Sequence, residues 1–419
     1  MADLRELPLR YGMSIGCDPE LFVTRQAGIV RKRVAPVGSE KIIGPLGYPE
    51  GFAADYPHVT RDGVQVELHA QSGWCRQALA SNISSAIQYL AQAVVDARKM
   101  LKDPSLAVSF APLVTLSKTD LKMLSPESQE LGCRESFNAY GREHIKRDGK
   151  KYLIRTASGH VHVGSGLFTR RLVDIDEAVK IFDLIVGIFC VLLDQDPSQK
   201  IRRETYGRAG EYRLPQHGLE YRVPSNFWLK DYKLQSGVFG MARIALQVCE
   251  GLVKSAPADN KWALKTLRAK APGDAEVERV INENDFEGAL RIYQDCIRPL
   301  GQGLYAMHGI GAGLMDPLDY FIETVHERGL GQWIDIRDSV ILANWQNPHF
   351  DTGWERFLSS TVEPKRRASA FKGIILDPEK AMKEPGILAG VTVARRRSRA
   401  ELPATPYPGP DATPFRIAA

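Results

Sequence analysis

Four short stretches of the chain each set two chemically potent side chains at positions i and i+2: Asp18 and Glu20, Gln65 and Glu67, His160 and His162, and Glu220 and Arg222. Side chains of a strand alternate between faces, so this spacing puts both members of a pair on one side of a sheet. The surrounding residues agree. β-Branched and apolar residues alternate with polar ones through Ser14 to Val23 and Val64 to Leu68, and strands are also expected over Tyr152 to Arg155, His160 to Gly164, Ala209 to Leu214 and Leu219 to Val223. Any one pair alone fits a solvated strand face; four pairs together predict convergence on a site.

Helical periodicity fills the intervals. Ile83, Ile87, Leu90, Val94 and Ala97 mark one apolar face of a helix over Arg76 to Leu101, closed by Asp103-Pro104. Further helices are predicted over Ile175 to Leu193 and Ser236 to Val253, and the remainder to about Lys383 reads as mostly helical. Strands and helices in this order predict an α+β fold with an antiparallel sheet flanked by helices. At 419 residues, one large catalytic unit over 1–389 with a helical C-terminal portion is expected. Residues 390–419 combine an arginine run with five prolines and predict a basic, Pro-rich tail, free or laid along another subunit. The Gly/Pro-rich segment Gly38 to Pro57 is a candidate lid.

A net charge of +5, much of it in Arg395, Arg396, Arg397 and Arg399, leaves the body near neutral and argues against a nucleic-acid partner. Six scattered cysteines without a C-x-x-C pair suit buried thiols in a reducing compartment. Charges at Asp3, Arg5 and Glu6 stand where a signal peptide would be apolar, so a cytoplasmic location is expected. The apolar run Ile181 to Leu193 contains Asp183 and is too short for a bilayer span, so no membrane partner is expected.

The paired residues specify a chemistry. Glu20, Glu67 and Glu220 offer carboxylate oxygens from three strands, the kind that hold Mg²⁺ together with substrate phosphates, and the imidazoles of His160 and His162 would also admit Mn²⁺. Arg155, Arg208, Arg213 and Arg222 carry guanidinium groups able to grip a carboxylate or phosphate in two prongs. Such a set suits transfer of the γ-phosphoryl group of ATP to a carboxylate, after which an amine displaces phosphate.

At this point the sequence resembles a known family, the phage-type carboxylate-amine ligases (COOH.NH2 ligase type 2), relatives of glutamine synthetase and glutamate-cysteine ligase. The resemblance spans about residues 14–230 and rests on six segments in family order: Gly16-Cys17-Asp18-Pro19-Glu20, Asp62 to Glu67, Gly132-Cys133, Arg155 to Gly164, Tyr206 to Gly210, and Gly218 to Asn226. It implies a glutamine-synthetase-like funnel of antiparallel strands and an ATP- and metal-dependent, amide-forming ligase. It further implies Glu20, Glu67 and Glu220 as metal ligands, His160 or His162 on metal or nucleotide phosphate, and Arg222 facing phosphate. Arg155 and Arg213 stand with Arg222 as catalytic candidates and Arg208 as a nucleotide contact, by their places in matching segments. The chain departs from the family pattern at Arg134-Glu135, at Gly38 to Lys41 and at His69. Small-molecule or peptide acids and amines are the expected partners, and a homo-oligomer is left open. Two other readings stand beside this one: a metal-dependent amide hydrolase, and an inactive structural protein, such as a phage component, that retains the fold.

Overall fold

In the computed structural model, which describes residues 11–27, 33–42, 59–73, 76–131, 136–142, 148–301 and 345, the strand-borne pairs are distributed over two antiparallel sheets. The described strands, in chain order, are β1 (Ser14–Cys17), β2 (Glu20–Ala27), β3 (Arg33–Pro36), β4 (Val59–Asp62), β5 (Gln65–Leu68), β6 (Ala70–Gly73) and β7 (Ala107–Ser109). They continue as β8 (Leu113–Thr115), β9 (Phe137–Asn138), β10 (Ile154–Thr156), β11 (Val161–Gly164), β12 (Glu211–Arg213) and β13 (Gly218–Tyr221). One sheet has the order β6-β1-β11-β13-β12-β9; the other runs β3-β2-β5-β4 with β7 also on β2, and β8 pairs β10 separately.

Ser14 to Val23 is expected as one strand, and the structure breaks it at Asp18-Pro19. Pro19 has no N–H to give a ladder, and here the chain leaves the first sheet and enters the second. The corner is pinned from three sides. Leu68 N donates to Pro19 O at 2.9 Å, Glu20 N donates to Ser158 O at 2.8 Å, and Asn226 Nδ2 donates to Glu20 O at 2.9 Å. The pairing of β1 with β6 also shifts register between Ile15 and Cys17, a bulge of the kind that re-aims side chains.

Alternation sorts the larger sheet into two faces. Ile15, Val161, Val163, Leu219 and Tyr221 are buried in the apolar core behind it. That core is completed by α1 (Arg76–Met100), by the helix Tyr232–Glu250, and by a continuous helix from Ile175 to Leu193. The last helix widens to π geometry over Asp183–Gly187. There the Tyr221 hydroxyl donates to Asp183 Oδ1 at 2.6 Å, and a Cβ on Gly187 would stand 2.7 Å from that hydroxyl, so glycine is needed to admit the ring.

The helix expected over Ser236 to Val253 starts earlier, at Tyr232, because Asp231 caps it by accepting Lys233 N at 2.7 Å. Cys17, Cys190, Cys249 and Cys296 are free and buried, as expected of thiols in the core. No helix among the described residues is long and apolar enough to cross a membrane. The candidate lid beyond Ile42, Glu135, the helices expected between residue 302 and Lys383, and the tail lie outside the described residues.

Candidate functional site

Register assembles the site. Gly16 pairs with His162, His162 with Glu220, and Glu220 with Arg213, which makes one polar row across β11, β13 and β12 beside the bare backbone of β1. Two residues further along each chain, beyond the strand ends, stand Asp18, His160 and Arg222. His160 Nδ1 lies 2.9 Å from Asp18 Oδ1 and 3.4 Å from Glu220 Oε1, and His162 Nε2 lies 3.1 Å from the same Asp18 oxygen. Ligand atoms of Asp18, His160, His162 and Glu220 all fall within 4.8 Å of one another.

Electrostatics here are tightly interlocked. Burial pushes the Asp18 carboxyl up, but the charges of His162 and His160 outweigh it and hold the group well below the usual range. His160 is lowered, chiefly by burial, whereas for His162 the proximity of Asp18 overcomes burial and raises it. Glu220 is lowered: burial is outweighed by His160 and by Arg213, whose Nη2 and Nε reach its oxygens at 2.6 and 2.9 Å. The other His160 nitrogen, Nε2, lies 2.8 Å from the Tyr206 hydroxyl, and Arg222 donates to that same oxygen. Arg222 Nε stands 3.5 Å from Glu220 Oε1.

Across the corner, a second set of carboxylates faces the same space from the smaller sheet. Glu20 pairs directly with Glu67, and Glu67 with Thr60, while Asp62 pairs with Gln65. Glu20 Oε2 accepts the Ser158 N–H at 2.8 Å. Burial, then the charges of Asp62 and Glu67, raise the Glu20 carboxyl well above the ordinary range, and burial with Glu67 and Asp18 raises Asp62 to about 6. His69 lies 2.7 Å from Thr60 Oγ1 and 3.6 Å from Glu67 Oε2, which raises it against the effect of burial.

The sequence-predicted residues therefore divide. His160, His162, Glu220, Arg213 and Arg222 come together, with Asp18 at their centre; Glu20 and Glu67 form the neighbouring set. Arg155 goes elsewhere. It is fully buried on β10 and donates to the carbonyls of Tyr152 (2.6 Å), Ile154 (3.1 Å), Gln129 (2.9 Å) and Gly149 (2.8 Å), so its guanidinium ties loops together. Arg208 donates from Nε to Glu211 Oε1 at 3.2 Å, and Glu211 also accepts Gly207 N at 2.8 Å. Lys41 ends a short 3₁₀ turn, Ser39–Lys41, and is exposed.

Four participants escape pattern reading: Asp62, Tyr206, His69 and His217, whose ring stacks on His162 with centroids 5.1 Å apart. Asp62 precedes Gly63 and reads as turn chemistry, and Tyr206 sits in a loop without periodicity. The signal for Asp62 was its place one hairpin turn away from Gln65.

A divalent cation fits these residues. Metal–ligand bonds of about 2.0–2.2 Å set ligand atoms roughly 3–4 Å apart, close to the observed spacing of the Asp18, His160, His162 and Glu220 group. Burial first, and then the charges of neighbouring carboxylates, raise Glu20 and Asp62, and a bound cation would relieve the second of these costs. Two chemistries are on offer: a mixed nitrogen and oxygen set at His160 and His162, and an all-oxygen set at Glu20, Asp62 and Glu67.

Two antiparallel sheets thus bring imidazole, carboxylate and guanidinium groups to one corner, in an arrangement that could hold a metal ion. Residues 149–265 match the family described as phage phiEco32-like COOH.NH2 ligase type 2, in agreement with the resemblance read from the sequence. The match covers His160, His162, Arg208, Arg213, Glu220 and Arg222, whereas Asp18, Glu20 and Glu67 precede it. No curated protein matches the chain. The family's name points to a ligase that joins a carboxyl to an amino group.

Proposed function

We propose that the chain is an ATP-dependent carboxylate-amine ligase that works through an acyl-phosphate. The observation that carries this reading is the meeting of two carboxylate sets with His160, His162, Arg213 and Arg222 at one corner, within a chain whose 149–265 segment matches a ligase family. In the proposed reaction a substrate carboxylate oxygen attacks the γ-phosphorus of ATP, the bond from that phosphorus to the β,γ-bridging oxygen breaks, and ADP leaves. An amine then attacks the acyl carbon, phosphate departs with the acyl oxygen, and the nitrogen gives up a proton.

Mg²⁺ or Mn²⁺, held by Asp18, His160, His162 and Glu220 or by the neighbouring set of Glu20, Asp62 and Glu67, would neutralise charge on the phosphate oxygens. The chain's own residues do the rest. Arg213 and Arg222 flank Glu220 and supply fixed positive charge toward the transferring group, as preorganised donors that need no reorganisation during reaction. Tyr206 orients His160. The low exposure of Glu20, His160 and Arg222 keeps water away from an intermediate that water would destroy.

The test is a thermal-shift titration with ATP, ADP and Mg²⁺ or Mn²⁺, followed by ADP-release assays across acid and amine pairs. Metal-dependent stabilisation by ATP in wild type, lost in Glu20→Gln, is the expected result. Absence of any nucleotide response in wild type would overturn the ligase. The mixed imidazole and carboxylate set also suits a metal-dependent amide hydrolase; metal binding without nucleotide binding, together with amide cleavage, would favour that reading.

A further inference from the structure

On the surface formed by the loops that Arg155 ties together, four lysines line one groove. α2 (Lys118–Met123) contributes Lys118 and Lys122, one turn apart, and the turn before β10 contributes Lys150 and Lys151. The groove holds about 430 Å³, with Leu121, Gln129 and Leu153 completing its wall, and among the described residues no carboxylate is part of that lining. This volume suits a small ligand.

The lysines are not merely scattered over a solvated surface. Lys118 and Lys122 are exposed and have no acidic partner among the described residues. Lys150 and Lys151 reach Glu130 and Asp148 at 3.2 and 3.3 Å, in exposed pairs of the kind that contribute little and exchange readily. Both walls are built with care. Arg155 Nη2 holds Gln129 O and Gly149 O together at 2.9 and 2.8 Å. Gly149 packs so closely that a Cβ there would stand 2.3 Å from Gln129 O. A capping box, Ser117 with Asp120, fixes the start of α2 and so the direction in which Lys118 and Lys122 project. Two ammonium groups without an acidic partner among the described residues and two in exposed, exchangeable pairs thus surround one concavity, where an anion that enters can be met by all four.

We propose that this groove binds a small ligand with several clustered anionic groups, phosphate or carboxylate, at a site separate from the polar corner. Lysine suits such a ligand because its ammonium is a point charge with three rotatable donors. From Leu153 to His160 the chain spans seven residues, so the groove lies no more than about 25 Å from the corner.

Isothermal titration with tripolyphosphate and, separately, with citrate tests the site, at 0.15 M salt and without divalent cations. Three proteins are compared: wild type, Lys118→Gln/Lys122→Gln, and Lys261→Gln/Lys265→Gln, which removes the same charge from the helix Ala258–Lys270. The expected result is binding of one or both probes by wild type, a fall of tenfold or more in the first variant, and affinity within twofold in the second. Tripolyphosphate alone would identify a phosphate ligand and citrate alone a polycarboxylate. Lack of binding by wild type, retained affinity in the first variant, or an equal loss in the second would overturn the proposal. No nucleotide turnover enters the readout, and a probe that binds at the polar corner instead is recognised by affinity retained in the first variant.

Discussion

Tyr206 is the joint on which the histidine side of the site turns. Its hydroxyl lies 2.8 Å from His160 Nε2, and Arg222, whose guanidinium carbon lies 5.2 Å from the ring centroid, donates to that hydroxyl. Tyr206→Phe should cost about 1–3 kcal/mol in urea unfolding, since both partners are buried and each loses a hydrogen bond. It should also lower turnover by at least tenfold, with KM less affected, because the imidazole loses the contact that sets its tilt. Arg155 predicts the opposite balance. Arg155→Met deprives four carbonyls of donors and should lower stability by about 3 kcal/mol or more in the same unfolding experiment. The nucleotide affinity of the protein that remains folded should be unchanged, and a selective loss of that affinity would show the arginine to be a ligand contact instead.

At the scale of elements, the helix behind the main sheet carries a buried acid. Burial pushes the Asp183 carboxyl up to about 7, against hydrogen bonds from Tyr221 and Tyr140 that oppose the rise. An unfolded aspartate titrates near 3.9, so between about pH 4 and pH 7 the folded chain keeps a proton that the unfolded chain has released. Stability should therefore fall as pH rises through that window and level off above it. Asp183→Asn should make the decline shallower by about one proton's worth in melts taken across the window. The helix itself was legible: Ile175 to Leu193 reads as buried from composition, and it runs over those residues. Its π segment was not legible, because widening a helix there depends on Tyr221 arriving from a strand 38 residues away. The break at Asp18-Pro19 was half legible. Proline announces an interruption, but only pairing with β11 on one side and β5 on the other makes it a passage between sheets.

For the whole molecule, the distribution of ligand types predicts the response to metal. After chelation, Mn²⁺ should raise the melting temperature more than Mg²⁺ at equal concentration, because imidazole nitrogen favours the softer ion. His162→Ala should erase most of that difference, and an unchanged Mn²⁺ preference would remove His162 from the ligand set. How much of the site was readable follows from the same distribution. The pairs at Glu220 and Arg222, and at His160 and His162, obey a local period of two and were visible in one dimension. The central place of Asp18, the closeness of Asp62 to Glu20 and the contact from Tyr206 to His160 come from register and loop closure, which leave no periodic trace. The corner has one more consequence. Asp18 belongs to one donor set and Glu20 to the other, and two residues of extended chain cover at most about 7 Å. That dipeptide acts as a ruler of constant length between the two sets, locked at Pro19 O, Glu20 N and Glu20 O by the second sheet and by Ser158 and Asn226. Sliding one sheet over the other cannot lengthen it, so a ligand that bridges both sets is selected by its own span.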